Sequence, residues 1–207
     1  MEHVTRPNLT EQLPVMEYFY TIQGEGYHCG KAAFFIRLGG CDLGCHWCDV
    51  KESWPTDTHQ MINIQKLVDL IPDKVEIVVI TGGEPLMYDL TLLTELIQKR
   101  NIKTHIETSG AYPVTGSWDW FCLSPKKVKL PTESSYTHAN ELKVIIYNKH
   151  DFLFAKEQAK KTAPDTQLFL QPEWSKSEQI NQQIVDFVKA NPKWRISIQT
   201  HKILDIP

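Results

Sequence analysis

Short apolar, β-branched runs recur along this chain, and most are separated by stretches with helical spacing. Ala33–Leu38, Glu76–Thr81, Lys103–Thr108, Trp120–Leu123, Leu142–Tyr147, Gln167–Gln171 and Trp194–Gln199 read as buried strands. Ile64–Ile71, Leu90–Arg100, Asp151–Lys161 and Ser177–Ala190 read as helices. In the last of these, Ile180, Ile184, Phe187 and Val188 share one face, with Ser177 as N-cap and Asn191-Pro192 as the stop. Strands alternating with helices demand crossovers, which imply a parallel sheet, open or partly closed into a barrel. A chain of 207 residues buries about 70% of its extended surface, enough for a core without disulfide staples. With no repeat, low-complexity tract or linker, the expected organisation is a polar N-terminal arm over residues 1–15 and one α/β domain over residues 16–207.

Nearly every strand run ends in a polar or glycine-rich group. These are Gly39-Gly40-Cys41, Thr81-Gly82-Gly83-Glu84-Pro85, Glu107-Thr108-Ser109-Gly110, Ser124-Pro125-Lys126, Gln171-Pro172-Glu173 and Gln199-Thr200-His201-Lys202. Parallel α/β sheets and barrels bind ligands at the carboxyl ends of their strands, so these groups are expected to converge on one mouth. Any one of them alone is an ordinary turn; the succession points to a site.

Lys+Arg 22 against Asp+Glu 25 gives a formal charge of −3, which argues against bulk nucleic acid as a partner. The first residues carry acids and prolines instead of an apolar run, and no stretch reaches the ~18 apolar residues of a membrane span. The expectation is a cytoplasmic protein with no membrane partner. Five cysteines is an odd count, and Cys41, Cys45 and Cys48 fall within eight positions, which suits metal chemistry better than a disulfide framework.

Cys41-x3-Cys45-x2-Cys48 follows the first strand run directly. Three soft thiolates on one short loop can hold three corners of an iron–sulfur cube. The missing fourth cysteine leaves one iron open to a small molecule, as the open position of a catalytic zinc does. A zinc site completed by His46 or Asp49 is the competing reading. Cys122 reads as a small buried hydrophobe, Cys29 as a loop thiol, His105 as a packed core histidine and Lys126–Lys129 as a solvated face. His201 stands equally between substrate contact and solvent.

The cysteine spacing, Trp47 before the third cysteine, and Thr81-Gly82-Gly83-Glu84-Pro85 together resemble the radical S-adenosylmethionine superfamily. Thr21-Ile22-Gln23-Gly24-Glu25-Gly26, Arg37, Ser124-Pro125-Lys126, Leu170-Gln171-Pro172, Gln199-Thr200-His201-Lys202 and the final Pro207 narrow this. Within the superfamily the chain resembles the 7-carboxy-7-deazaguanine synthases of queuosine and deazapurine biosynthesis. The resemblance implies a single-domain partial (βα) barrel of the radical SAM type, reduced and elaborated. It implies a lyase that converts 6-carboxy-5,6,7,8-tetrahydropterin into 7-carboxy-7-deazaguanine with loss of ammonia, through a 5′-deoxyadenosyl radical. A [4Fe–4S] cluster on Cys41, Cys45 and Cys48, S-adenosyl-L-methionine and Mg2+ are the implied cofactors. Gly83, Glu84, Ser124, Pro125, Lys126 and Gln171 would hold the nucleotide. Ile22, Gln23, Gly24, Arg37, Thr81 and the carboxylate of Pro207 would hold the pterin, Arg37 by the planar fork that suits a carboxylate. A homodimer and an electron donor such as a flavodoxin are implied as well.

One position departs from the family. Thr or Ser usually stands two residues after the last cysteine and ligates the magnesium through its hydroxyl; here the chain reads Cys48-Asp49-Val50. The magnesium ligand is therefore unassigned, with Asp49, Glu52 and Ser53 the nearest oxygen donors. Two alternatives remain at this point: an activase that makes a glycyl radical on a partner protein, and a zinc or iron–sulfur module without turnover.

Overall fold

Side chains alternate between the two faces of a strand, and here each alternate set has its own task. In β2 (Ala32–Leu38), Phe34, Ile36 and Leu38 face one way while Ala33, Phe35 and Arg37 face the other. In β4 (Ile77–Gly82), Val78 and Ile80 oppose Ile77, Val79 and Thr81. The computed structural model describes residues 11–207 and places these strands in a nine-stranded sheet, ordered β3-β1-β2-β4-β5-β6-β7-β8-β9. The other members are β1 (Gln12–Ile22), β3 (Gln60–Asn63), β5 (Lys103–Thr108), β6 (Trp120–Leu123), β7 (Glu141–Ile146), β8 (Gln167–Pro172) and β9 (Trp194–Ile196).

From β2 through β9 all pairings are parallel, and only β1 runs antiparallel, to both β2 and β3. The outer face carries the main core: Phe34, Ile36, Val78, Ile80, Ile106, Phe121, Leu142 and Val144 pack with Leu67, Leu93, Ile97, Ala155, Ile180 and Ile184. Those partners come from α1 (Ile64–Asp69), α2 (Thr91–Lys99), α4 (Asp151–Ala159) and α5 (Ser177–Ala190). Each fully buried Leu or Ile contributes about 1.5–3 kcal/mol. On the inner face Ala33, Phe35, Ile77 and Val79 with Phe19 form a small apolar cluster of their own, and Thr81, Glu107, Lys143 and Gln171 are among the polar positions beside it. This is a partial barrel whose outer skin provides stability and whose inner face is free for chemistry.

Several sequence expectations need correction. The boundary of the polar arm falls inside β1: Gln12–Val15 pair with β3, and Leu13 and Val15 are buried. Pro14 between them breaks the apolar run that would have marked the strand. The rest of that arm lies outside the described residues. Ser177 is the first residue of α5 rather than its cap. The chain already turns at Trp174–Lys176, where Glu173 accepts from the Ser175 N–H, and Lys176 takes the cap position without a side-chain bond. Two short helices, α3 (Glu133–His138) after the Thr132 cap and α6 (Thr200–Leu204), lack the apolar periodicity that reveals a helix in sequence.

Candidate active site

The C-terminal ends of the parallel strands open into a cavity of about 380 Å³, within the size range of small-molecule sites. Register sets its walls. Arg37 and Thr81 are neighbours across β2 and β4, and Gln171 lies beside Ile145 across β7 and β8, all with side chains on the cavity. Every candidate site residue lines this space except Pro125, which is buried beside it.

The cysteine loop leaves β2 through Gly40, whose φ of 95° is accessible to glycine at no steric cost. Backbone bonds from Gly40 N to Ser53 O (2.7 Å), Cys41 N to Trp54 O (3.0 Å) and Cys48 N to Cys45 O (3.0 Å) fix its shape. All three thiols are free, half-buried and on the cavity wall. Burial pushes the Cys41 and Cys45 thiols up, while the Lys126 ammonium pulls Cys45 the other way. Three soft donors on one loop facing one cavity, with no fourth cysteine among the cavity residues, fit three corners of a cube.

The turn after β4 is pressed against that loop. Gly83 N donates to Leu38 O (2.9 Å) and Glu84 N to Gly40 O (2.8 Å). A Cβ on Gly83 would lie 2.2 Å from Gly40 O and 2.9 Å from Cys41 Cβ, so only glycine permits this approach. Glu84 lines the cavity with a carboxylate whose acceptor sites are already occupied. It is 1% exposed, and Oε1 accepts from Leu86 N (3.0 Å) and the Thr108 hydroxyl. Oε2 accepts from Ser109 N (2.8 Å) and the Ser109 hydroxyl. Two donors on each oxygen use the acceptor capacity of a carboxylate. Glu84 therefore ties the end of β4 to the end of β5 and leaves the backbone of its turn to face a ligand.

On the opposite wall, Lys126 Nζ donates to Ser124 Oγ (2.7 Å) and sits 5.2 Å from the centre of the Trp47 ring. Burial lowers its pKa, opposed by the Cys45 thiolate. Lys126 thus turns inward, and the solvated face expected for Lys126–Lys129 holds only for its neighbours. Gln171 is buried, and its Oε1 accepts from Ser197 Oγ (2.8 Å), which itself accepts from Gly26 N (2.9 Å). That relay orients the Gln171 amide nitrogen as a donor.

Gln23 Nε2 donates to Glu107 Oε1 (2.8 Å), and Arg37 Nε donates to Glu17 Oε1 (2.6 Å). Among the described residues the two Nη groups of Arg37 have no protein partner, so its fork remains available to the cavity. Gly24 lies under His201, since a Cβ there would sit 2.4 Å from His201 Nδ1. His201 is thereby a wall residue. Asp205 adopts a left-handed conformation (φ 53°), and Ile206 N bonds His201 O (3.1 Å), which returns Pro207 to the cavity.

Sequence reasoning missed the charged floor. Lys143 is 4% exposed, donates to Glu25, and lies 3.5 Å from Glu107 Oε2. Burial opposes its charge, but the two carboxylates outweigh burial and hold its pKa well above the ordinary value. Burial likewise raises Glu25, and Lys143 more than reverses this. Gln199 Nε2 completes the group by donating to Glu25 Oε1 (3.0 Å). The available signal was a lysine at an inward position of an otherwise apolar strand.

Residues 35–123 match the profile described as the Radical SAM superfamily. A 7-carboxy-7-deazaguanine synthase from Flavobacterium psychrophilum is 61% identical over 95% of this chain and 94% of its own length. The chain belongs to the 7-carboxy-7-deazaguanine synthase family. The namesake from Synechocystis is 49% identical, over 96% of this chain and 95% of its own length. The crystal structure of QueE from Escherichia coli superposes with a TM-score of 0.82 at 32% identity, covering 92% of this chain and 95% of that one.

Against the pattern expected for a synthase of this family, the stretch after Cys48 is poor in magnesium donors. Val50 faces the cavity with no side-chain oxygen. Ser53 is fully buried and its hydroxyl donates to Val50 O (2.7 Å). Glu52 is exposed on the 3-10 turn Lys51–Ser53. Asp49 lines the cavity, but its Oδ2 already accepts from Lys202 Nζ (2.8 Å) and Gln199 Nε2 (3.2 Å). Burial raises the Asp49 carboxyl, and the bond and charge of Lys202 bring it below the usual value. These residues do not make a magnesium site. Of the remaining thiols, Cys122 is buried and Cys29 is an exposed loop residue 3.2 Å from Thr200 Oγ1. His105 is packed at 5% exposure. No helix among the described residues is long and apolar enough to cross a membrane.

Proposed function

We propose that this protein converts 6-carboxy-5,6,7,8-tetrahydropterin into 7-carboxy-7-deazaguanine with release of ammonia, as a lyase of queuosine and deazapurine biosynthesis. One observation carries the reading: the three free cysteines, the glycine turn of β4 and the Arg37 fork all open into the same cavity. Cys41, Cys45 and Cys48 hold a [4Fe–4S] cluster. Gly83 and its turn, Ser124, Lys126 and Gln171 hold S-adenosyl-L-methionine. Pro125 acts by fixing the backbone between two of them, and Glu84 by anchoring the turn. When bound, cluster and nucleotide supply one-electron chemistry that removes and returns a hydrogen atom at the carbon bearing the substrate carboxylate.

The chain's own groups bind and orient. The Arg37 fork pairs with the substrate carboxylate in bidentate fashion. Ile22, Gly24, Thr81 and Pro207 close around the ring system. Glu25 and Glu107, positioned by Gln23 and Lys143, accept from the N–H edge of the aminopyrimidinone. Lys143 lies between them and sets one positive charge against both carboxylates. Enclosure by strand ends excludes water and holds the reacting carbon in position. The protein works in the cytoplasm as a homodimer and takes its electron from a flavodoxin-like donor.

Anaerobic reconstitution tests this reading. The expected result is about four irons per chain, a cluster signal that changes on adding S-adenosyl-L-methionine, and release of the deazapurine without stoichiometric loss of the nucleotide. Cys45→Ala is expected to abolish product. Bound zinc with no nucleotide-dependent change, or full activity in Cys45→Ala, contradicts the assignment.

A further inference from the structure

We infer that this protein needs no divalent cation, and that the ammonium of Lys202, held by Asp49 and Gln199, is the fixed positive charge that meets the substrate's oxygen atoms. The inference rests on the pterin reading above and concerns the stretch after Cys48, where Val50 stands at the position expected to hold Thr or Ser.

Three features of that stretch carry it. Position 50 faces the cavity, so a hydroxyl there would reach the site, but valine offers none. The neighbouring Ser53 hydroxyl is spent on Val50 O and sealed from the cavity. Asp49 is then the acidic oxygen donor left on this part of the wall, and it already has a cation: Lys202 Nζ at 2.8 Å. Magnesium asks for a near-octahedral set of oxygens at about 2.0–2.1 Å. Recruiting Asp49 to such a set means separating it from Lys202 and from Gln199 together. Two cations on one carboxylate repel, so the ammonium and a divalent ion are alternatives here rather than companions.

Lys202 is suited to the substitution. An ammonium is a compact charge with three N–H donors. Two of them go to Asp49 Oδ2 and to Gln199 Oε1, the latter at 3.1 Å, which leaves the third for a ligand oxygen. The side chain lines the same cavity as Val50, Arg37 and Pro207, with Trp174 5.1 Å from Nζ at its ring centre. Gln199 donates to Glu25 and Asp49 and accepts from Lys202, so it ties this charge to the floor that holds the pterin edge. The charge is thus fixed by the fold and needs no loading step.

The test uses the reconstituted holoenzyme in buffers freed of divalent ions on a chelating resin, which spares the cluster. Product is expected at a rate within about twofold of that in millimolar Mg2+. Mn2+ followed by its electron paramagnetic resonance is expected to show no stoichiometric binding to the substrate complex. Only with the ammonium also removed, in V50T combined with Lys202→Gln, is about one Mn2+ per chain expected in that complex. Lys202→Gln is expected to weaken substrate binding by calorimetry about tenfold, and Lys202→Arg to recover part of the loss. One tightly bound Mn2+ in the wild type, or product only when Mg2+ is supplied, overturns the inference and leaves the pterin reading intact. Unchanged binding in Lys202→Gln overturns the part given to lysine, and the double variant with no more Mn2+ than wild type overturns the part given to position 50. No product in either medium overturns the pterin reading itself, and this inference with it.

Discussion

The carboxylate of Glu84 accepts from Leu86, Thr108 and Ser109 while almost wholly removed from water. Removing it orphans several buried donors at once, and each unsatisfied buried group costs about 1–3 kcal/mol. Glu84→Ala is therefore expected to lower the unfolding free energy of the cluster-free protein by about 3 kcal/mol or more. Urea titration measures this, and a loss below about 1 kcal/mol contradicts the anchoring role. Residues whose type is rare and whose chemistry is narrow were legible from sequence: the three thiols, the glycine of the β4 turn, the guanidinium in an apolar strand. Lys143 was not, and Glu25 and Glu107 were legible only as members of their motifs, not as the partners of a lysine. A lysine inside an apolar run has no meaning until register and loop path bring two carboxylates to it across 118 and 36 residues of chain. Glu84 was legible as a site residue, but sequence cannot show that its lone pairs are already committed.

The β4 turn and the cysteine loop behave as one element, since Gly83 rests on Gly40 and Cys41. Gly83→Ala places a methyl group against a backbone oxygen, so one of the two segments has to shift. The expected outcome is a reconstituted protein with lower iron content and weakened nucleotide binding but an unchanged far-ultraviolet circular dichroism spectrum. Iron assay and equilibrium dialysis check this, and wild-type values in both contradict the coupling. The parallel strands were readable because burial on both faces makes them continuous apolar runs. β1 was not, because its burial comes as a block over Leu13–Val15, with Pro14 inside it, and then gives way to Glu17, Tyr18 and Tyr20 on exposed sites. β3 has four residues and one buried side chain, too little pattern to separate it from a loop.

The lower interior of the barrel stores a pH dependence that belongs to the whole molecule. His105 packs 4.6 Å from His28 and beside Trp120, and burial, aided by the neighbouring His28, lowers its pKa to about 4. Burial lowers His28 as well. An unfolded histidine protonates below its ordinary value of 6.5, while the folded His105 stays neutral until about 4. The unfolded state thus binds more protons in that window, and stability falls as pH drops through it, by up to about 3 kcal/mol from this residue. Urea unfolding between pH 7.5 and 4.5 is expected to show this slope, and His105→Gln to flatten it; equal slopes in the two proteins contradict the assignment.

The bonds that join residues 23–29 to residues 197–202, among them Thr200 N to Gly24 O (2.9 Å) and Gly26 N to Ser197 Oγ, impose an order of assembly. Contacts so distant along the chain form late, after the intervening loop has closed. On the ribosome, the side of the cysteine loop that Gln199 and Lys202 cover stays uncovered until residues 199–202 have been made.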